Sequence, residues 1–166
     1  MQNVMKKTLL IVVAVLGFAA VASAQPRAIG IRSGWGFDFS YEHTLKGPNF
    51  AEFEIGMDGY AFNAFHVDAP YNFMIANPDW TPVGTWGIYA GPGVSAYMWP
   101  SESVFYAGVL GNVGLEYKFK FPLQLSVDVR PRIMFGNGGV WTDGLFYGGV
   151  ITHIAFYAGW PKAWAA

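Results

Sequence analysis

The sequence predicts an all-β protein, an antiparallel up-and-down transmembrane β-barrel of about eight strands. Three observations predict it: apolar and charged residues alternate in long runs, an export signal precedes them, and the composition differs from that of a soluble domain. Successive side chains of a strand point to opposite faces of the sheet. An alternating run behind an export signal therefore indicates a barrel wall with one face toward lipid and the other toward the lumen.

The alternation is clearest in Leu123–Phe135 and in Ile29–Tyr41. In the first run every odd position holds an apolar residue or proline, and the even positions hold Gln124, Ser126, Asp128, Arg130, Arg132 and Met134. In the second run, apolar and aromatic residues again take odd positions, and Arg32, Asp38 and Ser40 take even ones. Each run is expected to form a ribbon with one apolar and one charged face.

The composition supports a membrane wall and excludes several classes of protein. The chain has 166 residues, of which 53% are hydrophobic, 18% aromatic and 13% charged, whereas soluble domains carry about 25% charged residues. Beyond the N-terminus, no apolar stretch reaches the roughly 20 residues of a spanning helix. The formal net charge of -1 gives no basic surface for nucleic acid, so no nucleic-acid partner is predicted.

Residues 1–24 are predicted to be a signal peptide that exports the chain to the cell outer membrane. Lys6 and Lys7 supply the positive region, Leu9–Ala20 the apolar core, and Ala22-Ser23-Ala24 the small-residue cleavage site. The alternative, a membrane anchor, is disfavoured because the apolar run is short for a span. The sequence contains no cysteine, which excludes disulfides and leaves a closed ladder of backbone hydrogen bonds to hold the fold.

The mature chain, residues 25–166, is predicted to be one barrel domain. Its seven countable strands are Ala28–Glu42, Phe50–Met57, Tyr60–Ile75, Gly84–Met98, Val104–Lys120, Leu123–Phe135 and Leu145–Tyr157. Gly136–Gly144 is expected to be a flexible loop. Single-chain bacterial barrels have an even number of strands, eight or more. One of the seven segments therefore contains two strands, or the barrel is incomplete. The segment expected to contain two strands is Tyr60–Ile75, which includes Pro70.

Four segments resemble small outer-membrane β-barrel proteins of the Bacteroidetes type. They are Ile29-Gly-Ile-Arg-Ser-Gly-Trp-Gly36, Trp86-Gly-Ile-Tyr-Ala-Gly-Pro-Gly-Val94, Gly111-Asn-Val-Gly-Leu-Glu-Tyr-Lys-Phe119 and Pro122-Leu-Gln-Leu-Ser-Val-Asp-Val-Arg-Pro131. The resemblance covers about Ala28 to Val150. It implies the barrel fold and an outer-membrane location, and it implies no particular activity.

The C-terminal segment, residues 151–166, is atypical for such a barrel. Barrels of this kind close on an amphipathic strand with a terminal aromatic residue, whereas this chain ends in Trp164-Ala-Ala166. Residues 151–165 instead resemble part of the carboxymuconolactone decarboxylase family. That family is helical, and its peroxidase members use a cysteine pair. We interpret this short match as chance or a fused reading frame and infer no enzyme activity from it.

A lumenal ion network is predicted from the charges on even positions. Its expected members are Arg32, Asp38, Glu52, Glu54, Glu116, Lys118, Asp128, Arg130 and Arg132. Side chains fill the interior of an eight-stranded barrel, and charges buried there need partners. We therefore expect a polar, mostly plugged lumen, in which three arginines neutralise four carboxylates: Arg32, Arg130 and Arg132 with Glu52, Glu54, Glu116 and Asp128. The alternative is a narrow channel or carrier for small solutes.

Aromatic side chains near strand ends are predicted to lie at the membrane–water interfaces. Tyr and Trp favour that position because one end of each is apolar and the other forms hydrogen bonds. The expected interface residues are Trp35, Tyr41, Trp86, Tyr97, Trp99 and Tyr117.

No catalytic site, cofactor or metal is predicted. Known barrel enzymes modify lipid A, and a deacylase of that type carries His and Ser two residues apart on one strand. Neither His66 nor His153 has such a serine. The predicted role is therefore structural or surface-interacting, with a lipid-modifying enzyme as the second alternative. The expected partners are outer-membrane lipid and the barrel assembly machinery, with any protein partner left open.

Overall fold

The computed structural model describes residues 27–155 except 35, 46, 59–62 and 144–147. The predicted signal peptide and most of the atypical C-terminal segment lie outside these ranges. Within them, no helix is long and apolar enough to cross a membrane. The described chain forms ten strands. They are β1 (Ala28–Ser33), β2 (Gly36–Thr44), β3 (Phe50–Asp58), β4 (Ala64–Ala76), β5 (Thr85–Trp99), β6 (Val104–Lys118), β7 (Gln124–Val129), β8 (Arg132–Gly136), β9 (Gly139–Asp143) and β10 (Gly148–Ala155).

The strands close into an antiparallel up-and-down barrel, which confirms the predicted fold class. From β1 to β6 each strand pairs with the next, β6 pairs with both β7 and β8, and β10 joins β7 to β1. Strands β7 and β8 follow one another along β6, so they share one position in the wall. β9 pairs with β8, and β10 pairs with β7, so β9 and β10 likewise share one position in the wall. The wall therefore has eight positions.

The strand missing from the sequence-based count lies in Ala28–Glu42, and the expectation that Tyr60–Ile75 hides two strands is wrong. The first segment folds back on itself as β1 and β2, with Arg32 opposite Asp38. Partners in this hairpin are separated by an even number of residues, so even positions face inward on both arms. The alternation consequently runs through the turn without a break. When the chain reverses direction and positions of the same parity, here the even ones, still face inward, the hydropathy pattern shows no sign of the turn.

Proline interrupts hydrogen bonding without ending a barrel strand. Pro131 separates β7 from β8 because it has no N–H to donate, but its carbonyl still accepts a 2.9 Å hydrogen bond from Gly111 N. Pro70 lies inside β4, opposite Gly93 of β5. β4 therefore continues through Pro70, although its pairing with β3 is interrupted there, between the partners Ala51–Tyr71 and Glu54–Asp68.

The segment predicted to be a flexible loop, Gly136–Gly144, is instead largely a tight hairpin. Gly136 pairs with Gly139 across the two-residue turn Asn137-Gly138, and β9 follows at once. Asn-Gly is a strong hairpin signal, which the glycine-rich composition obscured. The Asn137 amide also donates to the Ser103 carbonyl (2.9 Å) and accepts from Phe105 N (2.9 Å), so it joins this turn to the β5–β6 turn.

The two faces of the wall differ sharply in polarity. Even positions point into the lumen in β1 to β4 and in β6 to β8, and odd positions do so in β5 and β10. The inward side chains are polar for the most part, whereas exposed apolar side chains cover the outside. Outward examples from five strands are Ile31, Phe39, Val94, Val109 and Val127.

The closure of the barrel between β1 and β10 predicts a specific cross-link. Ile31 and Thr152 are register partners on these strands, so their Cα atoms lie within reach of a disulfide. In the otherwise cysteine-free chain, we expect Ile31→Cys/Thr152→Cys to oxidise readily, as measured by mass and by mobility on a denaturing gel.

The matched control for this cross-link is Ile31→Cys/Leu125→Cys. Leu125 is the partner of Thr152 on the next strand, which places it about 10 Å from Ile31, too far for a disulfide. Equal cross-linking in both variants would contradict the observed closure.

Candidate functional site

The lumen is filled by polar side chains, with three arginines at its centre. Arg130, Arg32 and Arg132 are 0%, 1% and 2% exposed. Burial of a charge is costly unless the charge is paired and hydrogen-bonded. The arrangement of the carboxylates around these arginines therefore determines what the lumen can do.

Arg130 contacts carboxylates on three strands. Its guanidinium forms a two-pronged pair with Glu54 and donates to Glu52 Oε2 (2.9 Å) and Asp128 Oδ2 (2.7 Å). Asp68 Oδ2 lies 3.7 Å from Nη1. Planar two-pronged pairing is the geometry that a guanidinium provides and an ammonium does not.

Arg32 and Arg132 extend the network by sharing two of these carboxylates. Arg32 Nη2 donates to Asp128 Oδ1 at 2.8 Å, and its Nη1 reaches Asp38 Oδ2 at 3.3 Å. Arg132 pairs with Asp68 and donates to the Tyr97 hydroxyl at 2.7 Å. Since Asp128 and Asp68 each contact two arginines, the three cations form one connected network.

A second ion cluster lies at the terminal rim, the end of the barrel where β1 begins and β10 ends. Arg27 Nη2 donates to both oxygens of Glu116 at 2.6–2.7 Å, and Arg27 Nη1 lies 3.3 Å from Glu42 Oε2. Lys118 Nζ is 2.6 Å from Glu116 Oε1. The expectation that Arg32, Arg130 or Arg132 neutralises Glu116 is therefore wrong, because Arg27 and Lys118 occupy this end of the lumen.

The structure places the nine predicted network residues on the inner face and joins all of them to at least one charged partner. Sequence reasoning omitted several further members from the network. These are Arg27, Ser40, Asp58, His66, Asp68 and His153. Arg27 precedes the first alternating run, and an isolated histidine in a strand does not by itself indicate an ion network.

His66 lies between two carboxylates near the hairpin rim, the end of the barrel opposite the terminal rim. Its Nε2 is 3.3 Å from Asp38 Oδ1 and its Nδ1 is 3.5 Å from Asp58 Oδ2. The ring stacks on Tyr97 at 4.9 Å between centroids. The Tyr97 hydroxyl in turn donates to Asp58.

His153 joins β10 to β2 across the side-chain-free Gly30 of β1. Its Nε2 lies 2.9 Å from Ser40 Oγ, and Ser40 donates to Glu52 Oε1 at 2.8 Å. On the other side of the ring, Nδ1 is 3.7 Å from Glu42 Oε1. A Cβ on Gly30 would collide with His153, so glycine is required for this contact.

Ser40, His153 and Glu42 have the connectivity of a serine–histidine–acid triad. However, Ser40 and His153 are 0% exposed, and the Ser40 hydroxyl is committed to Glu52. A nucleophile must reach its substrate in the geometry of attack. Burial in the filled lumen therefore favours a structural role for this group.

The predicted interface aromatics divide between the two faces. Trp86 and Tyr117 pack together on the outer face at the terminal rim, 4.7 Å between ring centroids, and Tyr41 lies half-buried on the outer face of β2. Tyr97 and Trp99 are incorrect predictions: both have the inward parity of β5, and they stack at 5.3 Å inside the hairpin rim. Trp35 lies outside the described residues.

Two groups in the described lumen have donor atoms that could hold a metal ion. One is Asp38, Asp58 and His66, and the other is Glu42, Glu52 and His153; in each, the donor atoms lie within 4.8 Å of one another. Both combine an imidazole with two carboxylates, a donor set that suits divalent transition metals.

The fold and the site together define a closed barrel with an apolar outer wall and a charge-filled lumen. Comparison with protein-family models, with curated proteins and with solved structures returned no match to this chain.

The position of Arg130 predicts a large effect of its removal. We expect Arg130→Met to lower the free energy of unfolding by about 3–5 kcal/mol, because carboxylates would remain buried without their cation. The measurement is equilibrium urea unfolding in detergent micelles, followed by tryptophan fluorescence. Adding Glu54→Gln to this variant should recover part of the loss.

Lys118→Met is the matched control, since Lys118 is a lumenal cation whose side chain is 23% exposed at the rim. Its loss should cost about 0–1 kcal/mol. Similar losses for both variants would show that Arg130 is not the centre of the network.

Proposed function

We propose that this chain is an integral outer-membrane β-barrel with a structural or surface-interaction role. The observation that carries the proposal is the inverted polarity of the wall. Twenty polar or charged residues are buried in the described chain, while large apolar side chains on every side of the barrel are exposed. Water does not favour such a surface, whereas lipid contact and an internally satisfied backbone account for it.

The dimensions and the terminal rim support a membrane position. β5 and β6 each have 15 residues, more than the roughly 9–11 that a tilted strand needs to span a bilayer. At the terminal rim, Trp86 Nε1 donates to Thr81 Oγ1 at 3.1 Å and the Tyr117 hydroxyl donates to Val83 O at 2.6 Å. Rings with an apolar body and a hydrogen-bonded tip suit the membrane–water interface.

The filled lumen favours a non-conducting protein over a narrow channel or carrier. The guanidinium of Arg130 crosses the interior to Glu54 of β3, and side chains fill barrels of this width. The lipid-modifying alternative is disfavoured by the burial of Ser40 and His153. In this proposal the N-terminal signal exports the chain, the barrel assembly machinery inserts it, and outer-membrane lipid surrounds it.

Contact with lipid predicts a depth-dependent cost of charge on the outer wall. Val94 lies midway along β5 and is 59% exposed, whereas Leu45 lies just beyond β2 at the rim and is 51% exposed. We expect Val94→Arg to cost about 2–4 kcal/mol and Leu45→Arg about 0–1 kcal/mol. The measurement is reversible folding into lipid vesicles. Equal, small costs would indicate that this wall faces water.

The filled lumen also predicts electrical silence. In planar bilayers the wild-type chain should give no discrete conductance steps, with a wide bacterial porin as the positive control for insertion. The variants Arg130→Ala and Glu116→Ala test the two ion clusters. Regular openings of the wild type, altered by either substitution, would favour the channel alternative.

A further inference from the structure

We propose that Glu42, Glu52 and His153 bind one divalent transition-metal ion inside the terminal half of the lumen. The three residues come from β2, β3 and β10, and all are at most 2% exposed. Their donor atoms lie within 4.8 Å of one another. This inference goes beyond the proposed role and does not depend on the location of the protein.

The hydrogen bonds of Ser40 fix which nitrogen of His153 carries the proton. An ionised carboxylate accepts hydrogen bonds and cannot donate them, so the Ser40 hydroxyl hydrogen points to Glu52 Oε1. Ser40 Oγ can then only accept from His153 Nε2, 2.9 Å away. The proton of a neutral ring therefore lies on Nε2, and Nδ1 carries a lone pair.

That lone pair has no donor among the described residues. His153 Nδ1 is buried and makes no hydrogen bond, and it lies 3.7 Å from Glu42 Oε1, another acceptor. Two acceptors that face each other in a low-dielectric interior repel unless a cation or a donor lies between them. A metal ion bound to Nδ1 and to Glu42 would satisfy both.

The balance of charged side chains in the described lumen also favours an additional cation. Among the residues that the structure describes, eight buried carboxylates face five cationic side chains, four arginines and Lys118. The eight carboxylates are those of Asp38, Glu42, Glu52, Glu54, Asp58, Asp68, Glu116 and Asp128. Even with both lumenal histidines charged, one negative charge would remain. Because uncompensated buried charge is costly, a divalent ion near Glu42 and Glu52 would offset the excess.

The existing hydrogen bonds of Glu42 and Glu52 still allow both carboxylates to bind a metal ion. Gln124 Nε2 donates to Glu42 Oε1 at 2.9 Å, and Arg130 donates to Glu52 Oε2 at 2.9 Å. Each carboxylate oxygen has two lone-pair directions, so one contact does not saturate it. A histidine ligand whose other nitrogen donates to a fixed partner is a recurrent arrangement in metal sites, and Ser40 supplies that partner here.

The test is zinc binding by the purified mature chain in detergent micelles after treatment with a chelator. We expect the wild type to retain about one Zn²⁺ per chain after gel filtration, measured by mass spectrometry of the metal, and to unfold at a higher temperature with zinc than without. His153→Gln removes Nδ1 but keeps a side-chain amide able to donate to Ser40. It should weaken zinc binding at least about tenfold.

Two histidine variants serve as controls. His43→Gln changes a histidine on the outer face of β2 beside Glu42 and should bind zinc as the wild type does. His66→Gln changes the other lumenal histidine and should also bind normally.

Three results would overturn the proposal. They are no retained zinc in the folded wild type, equal retention by His153→Gln and the wild type, or loss of zinc in His66→Gln with retention in His153→Gln. The last result would assign the ion to Asp38, Asp58 and His66. Because His153→Gln could also weaken the fold, its heat-modified gel mobility is compared with that of the wild type before zinc is added.

Discussion

The structure depends on the compensation of charge inside a closed wall. Arg130 is fully buried in the lumen, where unpaired charge is strongly unfavourable. Its carboxylate partners come from β3, β4 and β7, strands that lie on different sides of the barrel. Pairing across the lumen therefore fixes the barrel's cross-section as well as its charge. The backbone ladder closes the wall, and the ion network sets what can fit within it.

The face of the wall on which a side chain lies depends on whether its position number is odd or even. The parity that faces inward changes at only some turns. Register partners in β1, β2 and β3 are separated by even numbers of residues, so even positions remain inside. Between β4 and β5 the separation is odd, as in Phe65 opposite Met98, and odd positions then face inward. Each change of parity moves a whole strand's charges or aromatics to the other face. Turn length is therefore as important as composition in deciding which residues meet in the lumen.

This dependence explains which features the sequence could predict. The fold class and the inward position of Arg32, Asp128 and Arg130 follow from local alternation, which is visible within one run. The inward position of Tyr97 was also accessible, because Trp86, Ile88 and Val94 define the outer parity of β5. For Tyr97 the general preference of Tyr and Trp for membrane interfaces conflicts with this parity, and parity decides its position.

Other features depend on pairings between distant parts of the chain. The contact of His153 with Ser40 needs β1 between β10 and β2, and it needs glycine at position 30. No pattern within either strand specifies that register. Arg27 is similar, since its partner Glu116 is 89 residues away. Sequence alternation identifies the inner face, but closure of the ring determines the partners on it.

Different kinds of contact close the two ends of the lumen. These contacts bear on whether the lumen is plugged or provides a path for a solute. At the hairpin rim, Tyr97, Trp99 and Trp141 pack against one another with centroids 5.3–5.9 Å apart. At the terminal rim, Arg27 covers the ring of Phe50 at 3.7 Å and pairs with Glu116. A solute would have to separate stacked rings at one end and a paired arginine at the other, and then displace Arg130 between them. Each step exposes or unpairs groups on which the fold depends. Passage of a solute through the lumen would therefore lower the stability of the barrel.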